Sequence, residues 1–269
     1  MSQGQSPVPM VVTTSRKAST GLEAEARQWA ARLGADYVQR GGRSLAQLLS
    51  ETGVPSVLVI GGQWPTYLWP ERDVEYFFHP NMAKIRLSNL ADGRGDPMVT
   101  AMDLGPGDAV LDCTLGRGSD AIIASCVVGA TGTVVGLEAV PIIAELTRHG
   151  LANYSLDKPE VDAAMRRIHV HCHDHAEYLA QCRAKAFDVV YFDPVFTRPL
   201  LDSDAMAPLR AVARKDTLTA STVNEARRVA RRRVVVKDVV HSELWASLGI
   251  ETVVRGGGSR IEYGIVDAG

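Results

Sequence analysis

The chain has 269 residues, of which 46% are hydrophobic and 22% are charged, and its formal net charge is −2. This length suits one large α/β domain, or a small domain of about 100 residues beside a larger one. The charge excludes a protein that is basic overall, so any contact with nucleic acid must come from a local patch.

Targeting and redox features predict a cytoplasmic protein. No apolar run approaches the roughly 18 residues that span a bilayer, and residues 1–10 predict a disordered lead-in without a secretory signal. The four cysteines form no C-x-x-C pair. This pattern favours free thiols in a reducing compartment over disulfides or zinc.

The first part of the chain, residues 11–78, predicts a small α/β region. Its expected strands cover residues 10–16, 35–40 and 56–61, and its expected helices cover residues 21–34 and 44–53. Residues 79–108 predict a helical connector with two helices, the second starting near Pro97.

From residue 109 to residue 269, short Val-rich runs alternate with helical periodicity. Strands are expected at 109–114, 133–138, 168–172, 187–193, 233–238, 250–254 and 260–266, and the first five read as strands buried on both faces. Helices are expected at 118–128, 140–152, 175–183, 218–231 and 241–248. The pattern predicts a doubly wound, Rossmann-like sheet of seven strands whose last strand is antiparallel.

The loop after the first of these strands, "DCTLGRGSDA", has the position of a ligand site. In a doubly wound sheet, ligands bind beyond the carboxyl ends of the strands at the switch point. The loop lacks the G-x-G-x-x-G spacing of a dinucleotide site, and Asp112 would repel a diphosphate while suiting a cationic amino group. The candidate cofactor residues of this loop are Asp112, Thr114, Gly116, Gly118, Ser119 and Asp120.

Acidic residues also end the next two strands. Glu138 suits the two hydroxyls of a ribose, and Asp174 with His175 follows the third strand, where an adenine edge would lie. A cationic amino acid joined to adenosine describes S-adenosyl-L-methionine (SAM). The alternative is that these acids serve only as helix caps.

The stretch "YFDPVFTRP" ends the fourth strand, beside that expected cofactor. Its Asp-Pro-Val-Phe resembles the [D/N/S]-P-P-[Y/F] signature of methyltransferases that act on exocyclic amino groups of bases. Asp193 and the carbonyl of Pro194 would accept hydrogen bonds from the amino group, and Phe196 would stack on an extruded base. The alternative is a turn after a buried strand, with Phe196 in the core.

The motifs "DCTLGRGSDA", "VVGLE", "VVYFDPVF", "RRVVVKD" and "SRIEYG" together resemble the bacterial small-subunit ribosomal RNA guanine-N2 methyltransferases, over about residues 95–266. The resemblance implies cofactor contacts at Ser119, Asp120, Glu138, Asp174, His175 and Asp193. It also implies an enzyme that methylates guanine N2 in ribosomal RNA. Where that family has Arg, Arg and Pro, this chain has Ser119, Ala139 and Thr197, which indicates a related subgroup.

Other basic and metal-binding candidates accompany this hypothesis. Arg198, Lys237 and Arg260 are candidates to contact substrate RNA, and the run from Arg227 to Arg233 is either a solvated helix face or a phosphate patch. Four histidines recur at every second position from His169 to His175, a spacing that could indicate a metal site. No carboxylate or cysteine joins them at ligand spacing, so no metal is expected.

Two rival functions stay open from the sequence alone. One is a small-molecule amine methyltransferase, and the other is a non-catalytic RNA-binding protein with a methyltransferase fold. The oligomeric state has no signal in the sequence.

Overall fold

The computed structural model describes residues 8–80, 82–194, 218–256 and 260–269. Within these ranges the strands form two sheets, one of five strands and one of seven. None of the helices in the same ranges combines the length and the apolar character that crossing a bilayer requires.

The five-stranded sheet is built by the first part of the chain. Its strands are β1 (Met10–Thr14), β2 (Asp36–Tyr37), β3 (Ser56–Ile60), β4 (Thr66–Trp69) and β5 (Val74–Tyr76), in the order β2-β1-β3-β4-β5. The first three run parallel, and β4 and β5 add antiparallel to β3. The helices of this region are α1 (Thr20–Leu33) and α2 (Leu45–Thr52).

The ends of these two helices follow from their flanking residues. The Ser19 side chain accepts a hydrogen bond from the N–H of Leu22, and Ser44 forms a capping box with Gln47. α1 ends at Gly34, which adopts the left-handed conformation with φ 62°. Both helices therefore agree with the sequence prediction.

Three features of this region differ from the prediction. The second strand spans two residues, not six, because it lies at the sheet edge with β1 as its one neighbour among the described strands. β4 and β5 were not predicted at all. They are short, a 3-10 helix (Pro70–Arg72) separates them, and their aromatic residues do not give a clear alternation.

The connector contains the two predicted helices, α3 (Ala83–Ala91) and α4 (Pro97–Met102). The side chain of Asp96 caps α4 by accepting hydrogen bonds from the N–H groups of Met98 and Val99, and Pro97 occupies the first helical position.

The seven-stranded sheet is the predicted Rossmann-like sheet. Its strands are β6 (Ala109–Asp112), β7 (Thr133–Glu138), β8 (Ile168–Cys172), β9 (Phe187–Phe192), β10 (Ala230–Val239), β11 (Thr252–Arg255) and β12 (Ile261–Asp267), in the order β11-β12-β10-β9-β6-β7-β8. β12 is antiparallel to both its neighbours. The fold class is confirmed.

Helices connect these strands. They are α5 (Ser119–Val128), α6 (Pro141–Asn153), α7 (Pro159–Arg166), α8 (His175–Gln181), α9 (Ala220–Val229) and α10 (Leu244–Leu248). α7 was not predicted, although Pro159 at its first position is a typical start signal.

The third strand of this sheet corrects one expectation. β8 was predicted to be buried on both faces, but it is the edge strand, and of its residues Ile168 alone is buried. His169 and His171 are exposed on it. Because an edge strand is partly open to solvent, polar histidines can alternate with valine in it at little cost.

The two sheets share a core through α6. Val12, Trp29 and Leu58 of the small sheet region pack in one cluster with Ile142 and Ile143 of α6. Just after β5, the ring of Phe78 lies against the backbone of α6, because a Cβ on Gly150 would be 1.8 Å from its Cγ atom. This packing fixes where the connector begins, next to the carboxyl edge of the large sheet.

Candidate active site

The carboxyl ends of four central strands bring polar side chains together. Asp112 ends β6, Glu138 ends β7, Asp193 directly follows β9, and Lys237 lies near the end of β10. The parallel register pairs Asp112 with Tyr191. Because β7 and β9 flank β6 on opposite sides, these residues surround the switch point of the sheet.

The glycine loop after β6 is held against β7. The N–H of Leu115 donates to the carbonyl of Leu137 at 2.8 Å, and the N–H of Gly116 donates to the Glu138 carboxylate at 3.2 Å. The close approach depends on Gly136, where a Cβ would lie 2.5 Å from the Leu115 side chain. Gly118, with φ 74°, turns the loop into α5.

Glu138 is a buried acid that backbone groups hold. Its second oxygen accepts a hydrogen bond from the N–H of Val140 at 2.8 Å. Burial raises the pKa of Glu138 to about 7, although these backbone donors oppose the rise. It forms no ion pair with any basic residue in the described ranges.

Asp112 is similarly buried, with 3% of its surface exposed. One of its oxygens accepts a hydrogen bond from the N–H of Thr114 at 3.0 Å. Burial raises the pKa of Asp112 to about 8, and the nearby carboxylates of Asp120 and Asp193 act in the same direction. Across the described part of the chain it has no basic side chain in ion-pair contact.

Asp174 and His175 lie at the end of β8. Asp174 caps α8, because one of its oxygens accepts hydrogen bonds from the N–H groups of Ala176 and Glu177 at 2.9 and 3.1 Å. The His175 ring packs edge-on against Phe192, with centroids 5.6 Å apart. The structure thus gives Asp174 the capping role that the sequence left as an alternative, at a position beside the Glu138 strand end.

A group of buried and partly buried charged side chains, which we call the charge network, lies beside these acids. The ammonium of Lys237 lies 2.8 Å from a carboxylate oxygen of Asp193 and 3.0 Å from one of Asp120. The Tyr191 hydroxyl donates to the same Asp120 oxygen at 2.8 Å. The other oxygen of Asp120 accepts a hydrogen bond from Arg86.

Arg86 extends the charge network into the connector. Its Nε and one terminal nitrogen donate to the two oxygens of Asp96 at 2.8 and 2.9 Å. Asp96 is also the cap of α4. The charge network therefore consists of two cations and three carboxylates: Arg86, Lys237, Asp96, Asp120 and Asp193.

The charge states of the central members follow from burial and pairing. Burial opposes the charge on Asp120, but Lys237 and Arg86 hold its pKa well below the ordinary value. Lys237 keeps its charge, since its two carboxylate partners raise its pKa despite burial. Burial, with a contribution from Asp120, raises the pKa of Asp193 to about 6, while Lys237 acts in the opposite direction.

The structure places several predicted site residues in unexpected contacts. The hydroxyl of Ser119 donates to the carbonyl of Pro80 at 3.1 Å, which ties the start of α5 to the connector. Asp120 and Lys237 are engaged with each other, so Lys237 points into the protein and not toward a solvent-exposed phosphate. Thr114 accepts a hydrogen bond from the N–H of Asp193 at 2.6 Å.

The remaining candidates lie at or beyond the border of the described residues. Pro194 is half-buried and precedes residues 195–217, so the predictions for Phe196 and Arg198 fall outside the described residues. Arg260 directly precedes β12, and its carbonyl accepts a hydrogen bond from the N–H of Val240, close to the carboxyl end of β10.

The arginine run contacts the protein itself. Arg232 pairs with Asp108 through two hydrogen bonds of 2.7 Å, and Arg228 donates to the carbonyls of Leu179 and Cys182. Arg231 to Arg233 lie at the amino end of β10, on the opposite edge from Lys237. These contacts favour a structural role. In the described ranges, no three His, Cys, Asp or Glu side chains are grouped in a way that would hold a metal.

Sequence reasoning missed Arg86, Asp96, Tyr191 and Tyr263. Arg86 is 34 residues from Asp120 along the chain, and it belongs to no motif. Tyr263 of β12 lies opposite Lys237 of β10 in the register of this antiparallel strand pair. For Tyr191, the local signal was a tyrosine one position before the end of an apolar strand, and this pattern is equally typical of a core residue.

Comparison with known proteins gives matches over most of this chain. A family model described as "Putative SAM-dependent methyltransferase" matches residues 73–260. An uncharacterized protein of Bacillus subtilis (strain 168), YpiP, is 40% identical over 245 residues, which cover 91% of this chain and 95% of the relative.

More distant relatives have an assigned activity in their names. Ribosomal RNA small subunit methyltransferase J of Laribacter hongkongensis is 33% identical over 150 residues, covering 54% of this chain and 52% of the relative. Its namesake in Halorhodospira halophila is 28% identical over 226 residues, covering 80% of this chain and 79% of the relative. The crystal structure of a SAM-dependent methyltransferase from Neisseria gonorrhoeae shares the fold, with a TM-score of 0.61 at 19% identity over 96% of each chain.

The charge network predicts the stability of one variant. Asp120→Asn leaves the buried cations Arg86 and Lys237 short of a carboxylate, so we expect unfolding in urea to show a loss of about 3 kcal/mol. As a control, Glu51→Gln breaks the exposed pair with Arg43 and is expected to cost less than about 1 kcal/mol. Equal losses in the two variants would contradict a stabilising role for the Asp120 pairs.

Proposed function

The chain belongs to the family of SAM-dependent methyltransferases, and from this premise we propose that it methylates an exocyclic amino group of a nucleotide, guanine N2 in small-subunit ribosomal RNA. The observation that carries the proposal is the placement of Asp193. Its carboxylate is fixed at the switch point of the sheet, directly beside the acids that suit the cofactor.

The two acids without basic partners fit SAM. When bound, SAM supplies a methyl group attached to a positively charged sulfur. We assign the cofactor's cationic amino group to Asp112, and its ribose hydroxyls to Glu138. Each carboxylate has lone pairs beyond those used by its backbone donors. The cationic amino group would also give the buried Asp112 the positively charged partner that it lacks among the described residues.

Asp193 has the geometry of a hydrogen-bond acceptor for an amino group. Its backbone N–H is held by Thr114, and one carboxylate oxygen is held by Lys237. The other oxygen has no hydrogen-bond partner among the described residues, and the side chain is 26% exposed. An aromatic amino group is a poor nucleophile because its lone pair is delocalised into the ring. An anionic acceptor at its N–H stabilises the positive charge that develops on nitrogen.

A nucleotide substrate is supported by the motif and by the names of the relatives. Asp193-Pro194-Val195-Phe196 resembles the signature of enzymes that methylate amino groups of bases. Relatives covering about half to four fifths of the chain are named ribosomal RNA methyltransferases. A small-molecule amine is the rival substrate, and the assay below separates the two.

We assign catalysis to residues 109–269 and RNA contact in part to residues 11–78 and the connector 79–108. Large apolar side chains are exposed on both sides of the boundary between these two segments, namely Phe77 (38%), Met82 (48%) and Ile85 (54%). Exposed apolar groups beside an active site suit the faces of unpaired bases, which stack on such groups.

Substitution of Asp193 tests the acceptor role. We expect Asp193→Ala to lower methyl transfer by roughly 100-fold or more, while Asp193→Asn, whose amide oxygen still accepts a hydrogen bond, retains part of the rate. The assay follows labelled methyl groups from SAM into small-subunit ribosomal RNA from a strain lacking this gene, offered free and in assembled subunits. The modified nucleoside is then identified after digestion.

The pH dependence of the same assay gives an independent check. An ionised carboxylate is the stronger acceptor, so at saturating SAM the wild-type rate is expected to rise with pH through about 6 and then level off. Asp193→Asn has no such titration and is expected to lack this acid limb. Full activity of Asp193→Ala would contradict the assignment, and transfer to small amines but not to RNA would favour the rival substrate.

Glu138 is tested through cofactor binding alone. Glu138→Ala removes the acceptor for the ribose hydroxyls, and we expect calorimetry at pH 8 to show SAM affinity weaker by about tenfold or more. Wild-type affinity is expected to fall as the pH is lowered through about 7, since protonation of Glu138 removes its charge. The control is Glu75→Ala, an exposed acid on β5. Equal affinities for the two variants would refute the ribose assignment.

A further inference from the structure

We propose that Arg86, on the connector helix α3, is a positioning residue for Asp193. By pairing with Asp120, it leaves the ammonium of Lys237 available to hold the Asp193 carboxylate in place. This inference deepens the proposed function, because it rests on Asp193 as the acceptor for the amino group.

The first argument is the arrangement of partners around Asp120. Arg86 occupies one oxygen of this carboxylate, and Lys237 and Tyr191 share the other. Lys237 lies between two acids, 2.8 Å from Asp193 and 3.0 Å from Asp120. Without Arg86, Lys237 would be the one remaining cation on Asp120 among the described residues. Its attraction to Asp120 would then compete with its contact to Asp193.

The second argument is that Arg86 itself is fixed. Asp96 holds Nε and one terminal nitrogen, and Asp120 holds the other terminal nitrogen. The side chain is 17% exposed. A guanidinium with all three nitrogens engaged is not available to bind a substrate, so its effect on the reaction passes through Asp120 and Lys237.

The third argument is the charge balance around Asp193. Among the described residues, the titratable groups that interact with Asp193 are Asp112 of β6, Asp120 of α5, Tyr191 of β9 and Lys237 of β10. Around Asp120 and Lys237 lie three more, namely Arg86 of α3, Asp96 before α4 and Tyr263 of β12. Burial keeps both tyrosines neutral by raising their pKa values. Three of the remaining groups are acids and two are cations. Loss of either cation would therefore raise the pKa of Asp193.

The same contacts make the connector part of the active site. Asp96 caps α4 and pairs with Arg86, and Ser119 at the start of α5 bonds to Pro80 at the other end of the connector. The position of the connector thereby determines the position of the acceptor. The effect passes through four side chains, each in contact with the next: Asp96, Arg86, Asp120 and Lys237.

The experiment measures the ionisation of Asp193 in the free protein, without substrate or cofactor. Protein labelled with ¹³C at aspartate carboxyl carbons is titrated by NMR, and the Asp193 signal is assigned by its absence in Asp193→Asn. We expect Arg86→Gln to move the titration midpoint of Asp193 upward by about one pH unit. Arg86→Lys, which keeps the charge, is expected to restore most of the wild-type value.

Two further variants separate positioning from general damage to the fold. Asp96→Asn removes the competing partner of Arg86 and one negative charge, so the midpoint is expected to move downward, opposite to Arg86→Gln. Arg232→Gln breaks the two-bond pair with Asp108 at the opposite edge of the sheet, and no shift is expected. If Arg86→Gln fails to fold, the Asp96→Asn and Arg86→Lys titrations carry the test.

A wild-type midpoint in Arg86→Gln would overturn the proposal, as would equal shifts in Arg86→Gln and Arg232→Gln. A shift of Asp96→Asn in the upward direction would also overturn it. Because the titration contains no substrate, its result does not depend on whether RNA is methylated. An absence of RNA methylation with the expected shifts would refute the proposed function and leave the positioning role of Arg86 intact.

Discussion

The structure around the site depends on one buried carboxylate, that of Asp120, which is paired with Lys237 on one side and Arg86 on the other. Removing a charge from water costs several kcal/mol, and a buried pair recovers that cost only when its geometry is close to ideal. Asp120 accepts hydrogen bonds from three donors on three different elements: α3, β9 and β10. The contact unites the connector, the start of α5 and the centre of the large sheet.

The acids at the strand ends divide into two groups with different partners. Asp193 shares Lys237 with Asp120 and lies within the charge network. Asp112 and Glu138 have backbone donors but no basic partner in the described ranges, and burial raises both their pKa values. A site that keeps uncompensated acids next to a fixed anionic acceptor is suited to a cationic ligand and an amino-group substrate. In the proposed function, Asp112 and Glu138 contact the cofactor and Asp193 holds the substrate.

The sequence predicted what local patterns determine, namely the strand ends and a doubly wound sheet whose last strand is antiparallel. Val-rich runs located β6, β7, β9 and β10, and the acids after them located the site. The pairing of Lys237 could not be predicted, because its partners lie 44 and 117 residues away and no local pattern reports them. Arg86 could not be predicted for the same reason, because its partner Asp120 lies 34 residues away along the chain. Asp174 caps a helix, as the alternative interpretation allowed, and His169 and His171 are exposed on the edge strand β8.

The central claim is that the acceptor Asp193 serves methylation of an amino group in ribosomal RNA. The most direct measurement is mass-spectrometric mapping of small-subunit ribosomal RNA from a strain in which this gene is deleted, beside the parent strain and a strain complemented with the wild-type gene or with Asp193→Ala. The account predicts that one N2-methylguanosine is missing in the deletion strain, returns with the wild-type gene and stays missing with Asp193→Ala. An unchanged set of methylated nucleotides in the deletion strain would contradict it.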